Sequence, residues 1–342
     1  MSRLKTIFLV DDNDVNLLTA QKALSSYYKI YTLPSAAGMF ELLESVMPDM
    51  ILLDINMPEM DGFEALEKLK SNSRYTDIPV IFLTSWGDAN IEARGFASGV
   101  VDVISKPFSE PVLLNRIKKH LEIDERIREQ MELLKRLKNS MVSVLAEMLE
   151  SRDKATGGHI ERTATYIKIL IQNMIEREIY KDEIAGWDMD VLISSVRLHD
   201  VGKIAISDLI LNKPEGLTNE EYELMKVHAA EGERIIDKII SQTGDEEFLI
   251  CAKLFAGYHH ERWDGTGYPH GLKGTDIPLL GRIMAIADVY DALVSDRSYK
   301  KALTHEQAVN IIVENKGMHF DPKLVEIFCE VHNLFADVSS CG

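Results

Sequence analysis

The 342-residue chain carries 38 basic and 55 acidic residues, a net charge of −17, with 46% hydrophobic and 27% charged residues. This is the balance of a soluble globular chain long enough for two cores, while so acidic a surface repels polyanions and argues against nucleic acid as a partner. The first apolar run stops at Asp11, no stretch approaches the ~20 apolar residues that span a bilayer, and Cys251, Cys329 and Cys341 lack paired metal spacing, so a reduced cytoplasmic setting without a membrane partner is expected.

Along residues 1–121, short apolar runs at 7–10, 50–53 and 80–83, and a weaker one at 100–104, alternate with helical patterns such as 15–26 and 62–71. Runs apolar throughout suit strands buried on both faces of a parallel sheet. The repetition predicts a doubly wound α/β domain whose site lies at the carboxyl ends of the strands. From about 112 to 150 the pattern is one long polar helix without Pro or Gly. Ile127, Met131, Leu134, Met141, Leu145 and Met148 fall at alternating spacings of four and three if Lys138 fills a polar seam position. That favours a coiled coil, and so a homodimer, over an amphipathic helix packed on its own domain. Beyond 151 nearly everything reads helical, with loops near 212–220 and 261–280 and a frayed tail at 338–342. The division expected is an α/β domain at 1–121, a helical linker at 122–139 and an all-α domain at 140–335.

In the first domain Asp11 and Asp12 follow the first strand, Asp54 ends the 50–53 run, Thr84 ends 80–83, and Lys106 follows 100–104. A parallel sheet brings these ends into one crevice. Clustered carboxylates need a cation, and hard oxygen ligands select Mg²⁺, beside which Asp54 is placed to attack a phosphoryl group. The run Leu53-Asp54-Ile55-Asn56-Met57-Pro58 through Gly62 and the triplet Lys106-Pro107-Phe108 resemble the receiver domains of two-component response regulators, a flavodoxin-like fold. The resemblance implies Asp54 as phosphoacceptor for a cognate histidine kinase. It puts Asp12, Asp54 and the Asn56 carbonyl on Mg²⁺ with Asp11 assisting, and Thr84 and Lys106 on the phosphate oxygens. One departure is Val103, three residues before Lys106, where receivers usually carry a Tyr or Phe.

The second domain has His159, the pair His199-Asp200, His228, the tandem His259-His260, and Asp288. Mixed imidazole and carboxylate donors suit Fe, Mn, Zn, Co or Ni, and their number exceeds what one ion needs, so two ions are expected. His120, His270, His305, His319 and His332 read as ordinary core or surface histidines. The segment from His259 through Arg262-Trp263-Asp264-Gly265-Thr266-Gly267-Tyr268-Pro269, with Asp296-Arg297-Ser298-Tyr299-Lys300 and Phe320-Asp321-Pro322, resembles the HD-GYP domains of the HD phosphohydrolase superfamily. That family hydrolyses cyclic di-GMP to linear pGpG, and in some members to GMP. The resemblance implies His159, His199 and Asp288 on one ion, which would be Fe or Mn before Zn, Co or Ni. It places His228, His259 and His260 on the second, with Asp200 bridging. Lys203 is the implied group for orienting or protonating the reacting phosphate, and Arg297 and Lys300 match phosphate contacts. Ala155 stands where many members carry a Glu that helps hold a third ion, so two ions are expected here. Tyr268 is open to packing, to substrate, or to contact with a diguanylate cyclase or other signalling protein.

The expected function is a response regulator that hydrolyses cyclic di-GMP under control of Asp54. The alternatives are a catalytically weak module that binds cyclic di-GMP and acts through protein contacts, and an enzyme for another cyclic dinucleotide or a nucleotide phosphate.

Overall fold

The computed structural model describes residues 4–85, 89–153, 158–244, 246–296 and 301–340, which form two compact units, 1–134 and 135–342. In the first, β1 (Thr6–Val10), α1 (Asp14–Leu24), β2 (Lys29–Leu33), α2 (Ala36–Leu43), β3 (Met50–Asp54), α3 (Gly62–Ser71), β4 (Val80–Ser85), α4 (Ala89–Ala97) and β5 (Asp102–Lys106) alternate strictly. The five strands are parallel in the order β2-β1-β3-β4-β5. β1 and β3 are buried at every position, because helices cover both faces, and this is why they read as unbroken apolar runs. β2 is an edge strand and only half-buried, and its mixed sequence carries no such signal. The last strand begins at Asp102 rather than at the expected residue 100, since Gly99 with φ 93° still belongs to the turn. Asp102 is held by Arg116 Nη1 (2.7 Å) and His120 Nε2 (3.0 Å). Burial raises its pKa, but these two bonds and the Val103 amide outweigh it and hold the carboxyl below its ordinary value.

α5 runs without a break from Glu110 to Arg152. In the second unit Val142 and Ala146 of this helix are buried, Val142 among Leu198, Ile236, Phe248 and Ala252. On the same helix Lys138 stays exposed, with its ammonium over the Phe248 ring at 4.9 Å and 4.0 Å from Glu246 Oε2. Leu137 lies exposed beside it.

The rest is helical: α6 (His159–Glu176), α7 (Lys181–Ile184), α8 (Met189–Val196), a 3-10 turn (Val201–Ala205), α9 (Asp208–Leu211), α10 (Asn219–Thr243), α11 (Glu247–Tyr258), α12 (Leu279–Val294), α13 (His305–Glu314) and α14 (Pro322–Ser340). The core is built where α6, α12 and α14 meet, around Tyr166, Ile167, Leu170, Ile283, Tyr290 and Phe328. α14 extends into the stretch expected to fray, because Phe335 and Val338 continue its apolar face onto that core. Buried Arg282 pins the start of α12 to that of α14 through Asp321 (2.8 Å), and donates to the Ile277 carbonyl (2.8 Å). Among the described residues, no helix is long and apolar enough to cross a membrane.

Candidate functional site

At the carboxyl ends of β1, β3 and β5, Lys106 Nζ bridges Asp11 Oδ2 (2.6 Å) and Asp54 Oδ1 (2.7 Å). Asp11 is fully buried and its other oxygen accepts from the Asn13 amide and Asn16 Nδ2, both at 3.0 Å. Asp12 is exposed, yet Asp11, Asp12 and Asp54 each offer an oxygen within 4.8 Å of the others. Burial raises the Asp54 pKa, Lys106 opposes it and Asp11 adds to it; a divalent cation fits that unbalanced negative charge. Thr84 sits at the end of β4 with its hydroxyl on the Ser85 carbonyl (3.2 Å), and Asn56 lies in the loop directly after β3. Val103 is buried against Phe82, Val100 and Gly95, a small aliphatic group filling the sheet face.

Five elements of the second unit converge on a larger cluster. His159 opens α6, His199 and Asp200 lead into the 3-10 turn, His228 lies in α10, His259 and His260 end α11, and Asp288 lies in α12. His159 Nε2 is 3.2 Å from His199 Nε2 and 3.5 Å from Asp288 Oδ1. His228 Nε2 is 3.3 Å from His259 Nε2 and 3.1 Å from His260 Nε2. Asp200 lies between the groups, with Oδ2 3.3 Å from His199 Nε2 and Oδ1 3.6 Å from His228 Nε2 and 3.9 Å from His259 Nε2.

The opposite ring nitrogens leave the inner ones able to donate to a metal. Nδ1 of His199, His228 and His259 faces the carbonyls of Val196 (2.9 Å), Met225 (2.7 Å) and Phe255 (2.8 Å), and Nδ1 of His159 faces Asp291 (2.8 Å). A proton on each Nδ1 satisfies those acceptors and leaves a lone pair on each Nε2. Lone pairs crowded within 3.1–3.3 Å repel unless a cation sits among them, so the donor set fits metal ions. Burial pushes His259 down to about 4 and also lowers His228 and His260, which keeps these imidazoles neutral. At His199 burial also pulls downward, but Asp200 and Asp288 win and raise it; the carboxylates demand positive charge at the point where an ion would meet it.

Lys203 Nζ contacts Asp200 Oδ2 (2.8 Å) and Asp153 Oδ2 (2.9 Å). Burial lowers its pKa, but those two carboxylates more than reverse the effect and keep it a cation. Asp153, which a lone acidic residue in sequence does not advertise, is thus the second support of Lys203. Asp153→Asn removes one of the two anions that hold Lys203 and should lower kcat by about tenfold with KM and metal content unchanged, the cost of a charged group held less firmly. Steady-state kinetics with elemental analysis check this, and a change in KM alone would contradict it.

Two further carboxylates organise the surroundings. Buried Asp291 holds His159 and takes a bidentate bond from Arg162 (2.7 and 2.9 Å). Buried Glu261, next to the tandem histidines, accepts from the amides of His270 (2.7 Å), Gly271 (3.1 Å) and Leu272 (2.9 Å) and so ties the following loop. That loop lays Tyr268 against His260, ring centroids 4.7 Å apart. Gly267 is required there, since a Cβ would lie 2.3 Å from the Arg262 amide nitrogen. Arg297, Lys300 and Ala155 lie outside the described residues. His120, His270, His305 and His332 are engaged with Asp102, Glu233, Tyr290 and His305 respectively, and His319 stacks on Phe320 at 4.2 Å.

Comparison with known proteins places this geometry. A response regulator receiver domain model matches residues 7–118 and an HD domain model matches 143–324. A Vibrio cholerae protein named "Probable cyclic di-GMP phosphodiesterase" is 39% identical over 98% of this chain and 79% of its own length. The cyclic di-GMP phosphodiesterase response regulator RpfG of Xanthomonas campestris pv. campestris is 32% identical over 87% of this chain and 79% of its own. A 3'3'-cGAMP-specific phosphodiesterase 2 of Vibrio cholerae is 41% identical over 58% of this chain and 35% of its own.

Proposed function

The chain belongs to the response regulators that join a receiver domain to an HD-GYP domain, and from that membership we propose that it hydrolyses cyclic di-GMP to linear pGpG at a dinuclear metal centre controlled by phosphorylation of Asp54. The observation that carries this reading is the placing of Asp200 between two histidine groups, one oxygen turned to each. His159, His199 and Asp288 would hold one ion and His228, His259 and His260 the other, with Asp200 shared; Fe or Mn suits these donors best, and Zn, Co or Ni also fits. When bound, such a pair of ions supplies an activated water and neutralises charge on the phosphodiester. The Ala155 side chain has no ligating atom, so the centre would hold two ions rather than three.

Lys203 keeps its proton beside Asp200, in position to contact the scissile phosphate and to protonate the departing oxygen. Arg297 and Lys300 supply further positive charge for the phosphates, which a chain of net charge −17 must gather locally. In the receiver, Asp12, Asp54 and the Asn56 carbonyl would hold Mg²⁺ with Asp11 assisting, Asp54 accepts the phosphoryl group from a histidine kinase, and Thr84 and Lys106 bind its oxygens. With Val103 in place of an aromatic residue, control does not run through a Thr84–aromatic exchange. A second copy of the chain covers the α5 stripe of Met131, Leu134, Met141, Leu145 and Met148, each 54–65% exposed.

The test supplies reduced Fe²⁺ or Mn²⁺ and measures linear products from cyclic di-GMP and from 3'3'-cGAMP, with His199→Ala as control. The expected result is pGpG from cyclic di-GMP at the higher kcat/KM, and none from the variant. A higher kcat/KM for 3'3'-cGAMP would move the substrate assignment towards the cGAMP-specific relatives. Binding of cyclic di-GMP without turnover under either metal would make the domain a signalling module.

A further inference from the structure

Arg152 ends α5, the helix that leaves the receiver, and its guanidinium closes on the segment just after Lys203. Nη2 donates to the Ile206 carbonyl (3.2 Å) and to Asp208 Oδ1 (2.7 Å), and Nη1 reaches the Ile204 carbonyl at 3.5 Å. In return Asn212 Nδ2 donates to the Arg152 carbonyl (2.7 Å). Ile204 and Ile206 stand at the C-terminal end of the 3-10 turn that displays Lys203, where unpaired carbonyls favour a cation.

Two residues earlier, Glu150 Oε1 accepts from the His159 amide (2.7 Å). That amide opens α6, whose N-cap Gly158 has no side chain to offer. A single turn of α5 therefore grips the end of the element that carries Lys203 and the start of the element that carries His159. Apolar packing does little to hold the first of these. Ile206 is the one buried residue between 203 and 213, while Ile204 is 58% and Leu209 85% exposed. A segment held mainly by polar bonds opens more readily than a packed one.

We infer that the Arg152–Asn212 clasp is the contact through which α5 sets the position of Lys203, so that breaking it uncouples the hydrolase from the receiver while leaving the metal donors in place. Arg152 and Asn212 are positioning residues here, and the inference rests on the phosphodiesterase reading. It follows from the clasp that any displacement of the last turn of α5 is carried to residues 204–212 by four hydrogen bonds.

The experiment uses the full-length Mn²⁺-loaded protein, with beryllofluoride standing in for the phosphoryl group on Asp54, and compares it with Arg152→Gln and Asn212→Ala. Turnover of cyclic di-GMP, metal content and amide hydrogen exchange across 204–212 are read together. The unsubstituted protein should change kcat by about fivefold or more with beryllofluoride, with a matching change in exchange of 204–212. In both variants the kcat ratio should fall to near one, with metal content and KM unchanged, and the segment should exchange about tenfold faster in either state. Variants that respond like the parent would overturn the inference, as would a parent whose 204–212 exchange ignores beryllofluoride. Absence of turnover in every form would defeat the enzymatic reading, and the exchange comparison would still decide the clasp.

Discussion

Asp200→Asn is expected to lower turnover by at least ~10³-fold, an effect of ~4 kcal/mol and of the size metal charge stabilisation supplies. The aspartate has one oxygen near His199 and Lys203 and the other near His228 and His259. Burial raises its pKa, but Lys203 and His199 dominate and hold it well below the ordinary carboxylate value, so the group is charged at any working pH. An amide of the same shape removes that charge and turns an NH₂ towards one set of histidines or towards Lys203. Lys203 keeps Asp153 as a partner, so the lysine stays anchored and the loss falls on metal retention. Elemental analysis of Asp200→Asn should find fewer than two ions per chain. Two retained ions and turnover within tenfold of the parent would contradict the bridging role.

Gly202→Ala tests the same site through packing. A Cβ at residue 202 would lie 1.9 Å from the His228 carbonyl oxygen and 2.5 Å from the Gly232 amide nitrogen. Both are backbone atoms of α10, so no side chain can swing aside and the 3-10 turn must back away from the helix. His228 rides on that helix and Asp200 and Lys203 flank the glycine in the turn, so the retreat opens the cluster. Overpacking of this kind costs about 3 kcal/mol, which for a domain of about 200 residues lowers Tm by ~6–12 °C. Thermal unfolding with and without metal is the check. A parental Tm with both ions bound would show that the turn and α10 tolerate a wider spacing.

The parts of this molecule legible in sequence are those whose chemistry is written locally. The tandem His259-His260, the pair His199-Asp200, and the acidic residues at the ends of buried strands mark themselves by adjacency to apolar runs. Asp153 and Asp291 do not, because their partners lie far along the chain: Lys203 is 50 positions from Asp153, and His159 is 132 from Asp291. A solitary carboxylate on a helix reads as solvated surface until the fold supplies a cation or an amide. β2 escaped for a related reason, since an edge strand needs no continuous apolar run. Lys138 fits a heptad on spacing, while the burial of Val142 and Ala146 on the same helix and the contact of its ammonium with Phe248 could not be read from that spacing. Periodicity states which residues share a stripe of a helix, and packing decides which stripe turns inward.

The central claim is a hydrolase that needs two ions held around Asp200. It is tested most directly by titrating metal-free protein with Mn²⁺ or Fe²⁺ while measuring ions bound per chain and pGpG formed in the same sample. The account predicts that turnover appears as occupancy passes from one ion to two and rises no further. Full activity at one ion per chain, or a requirement for a third, would contradict it.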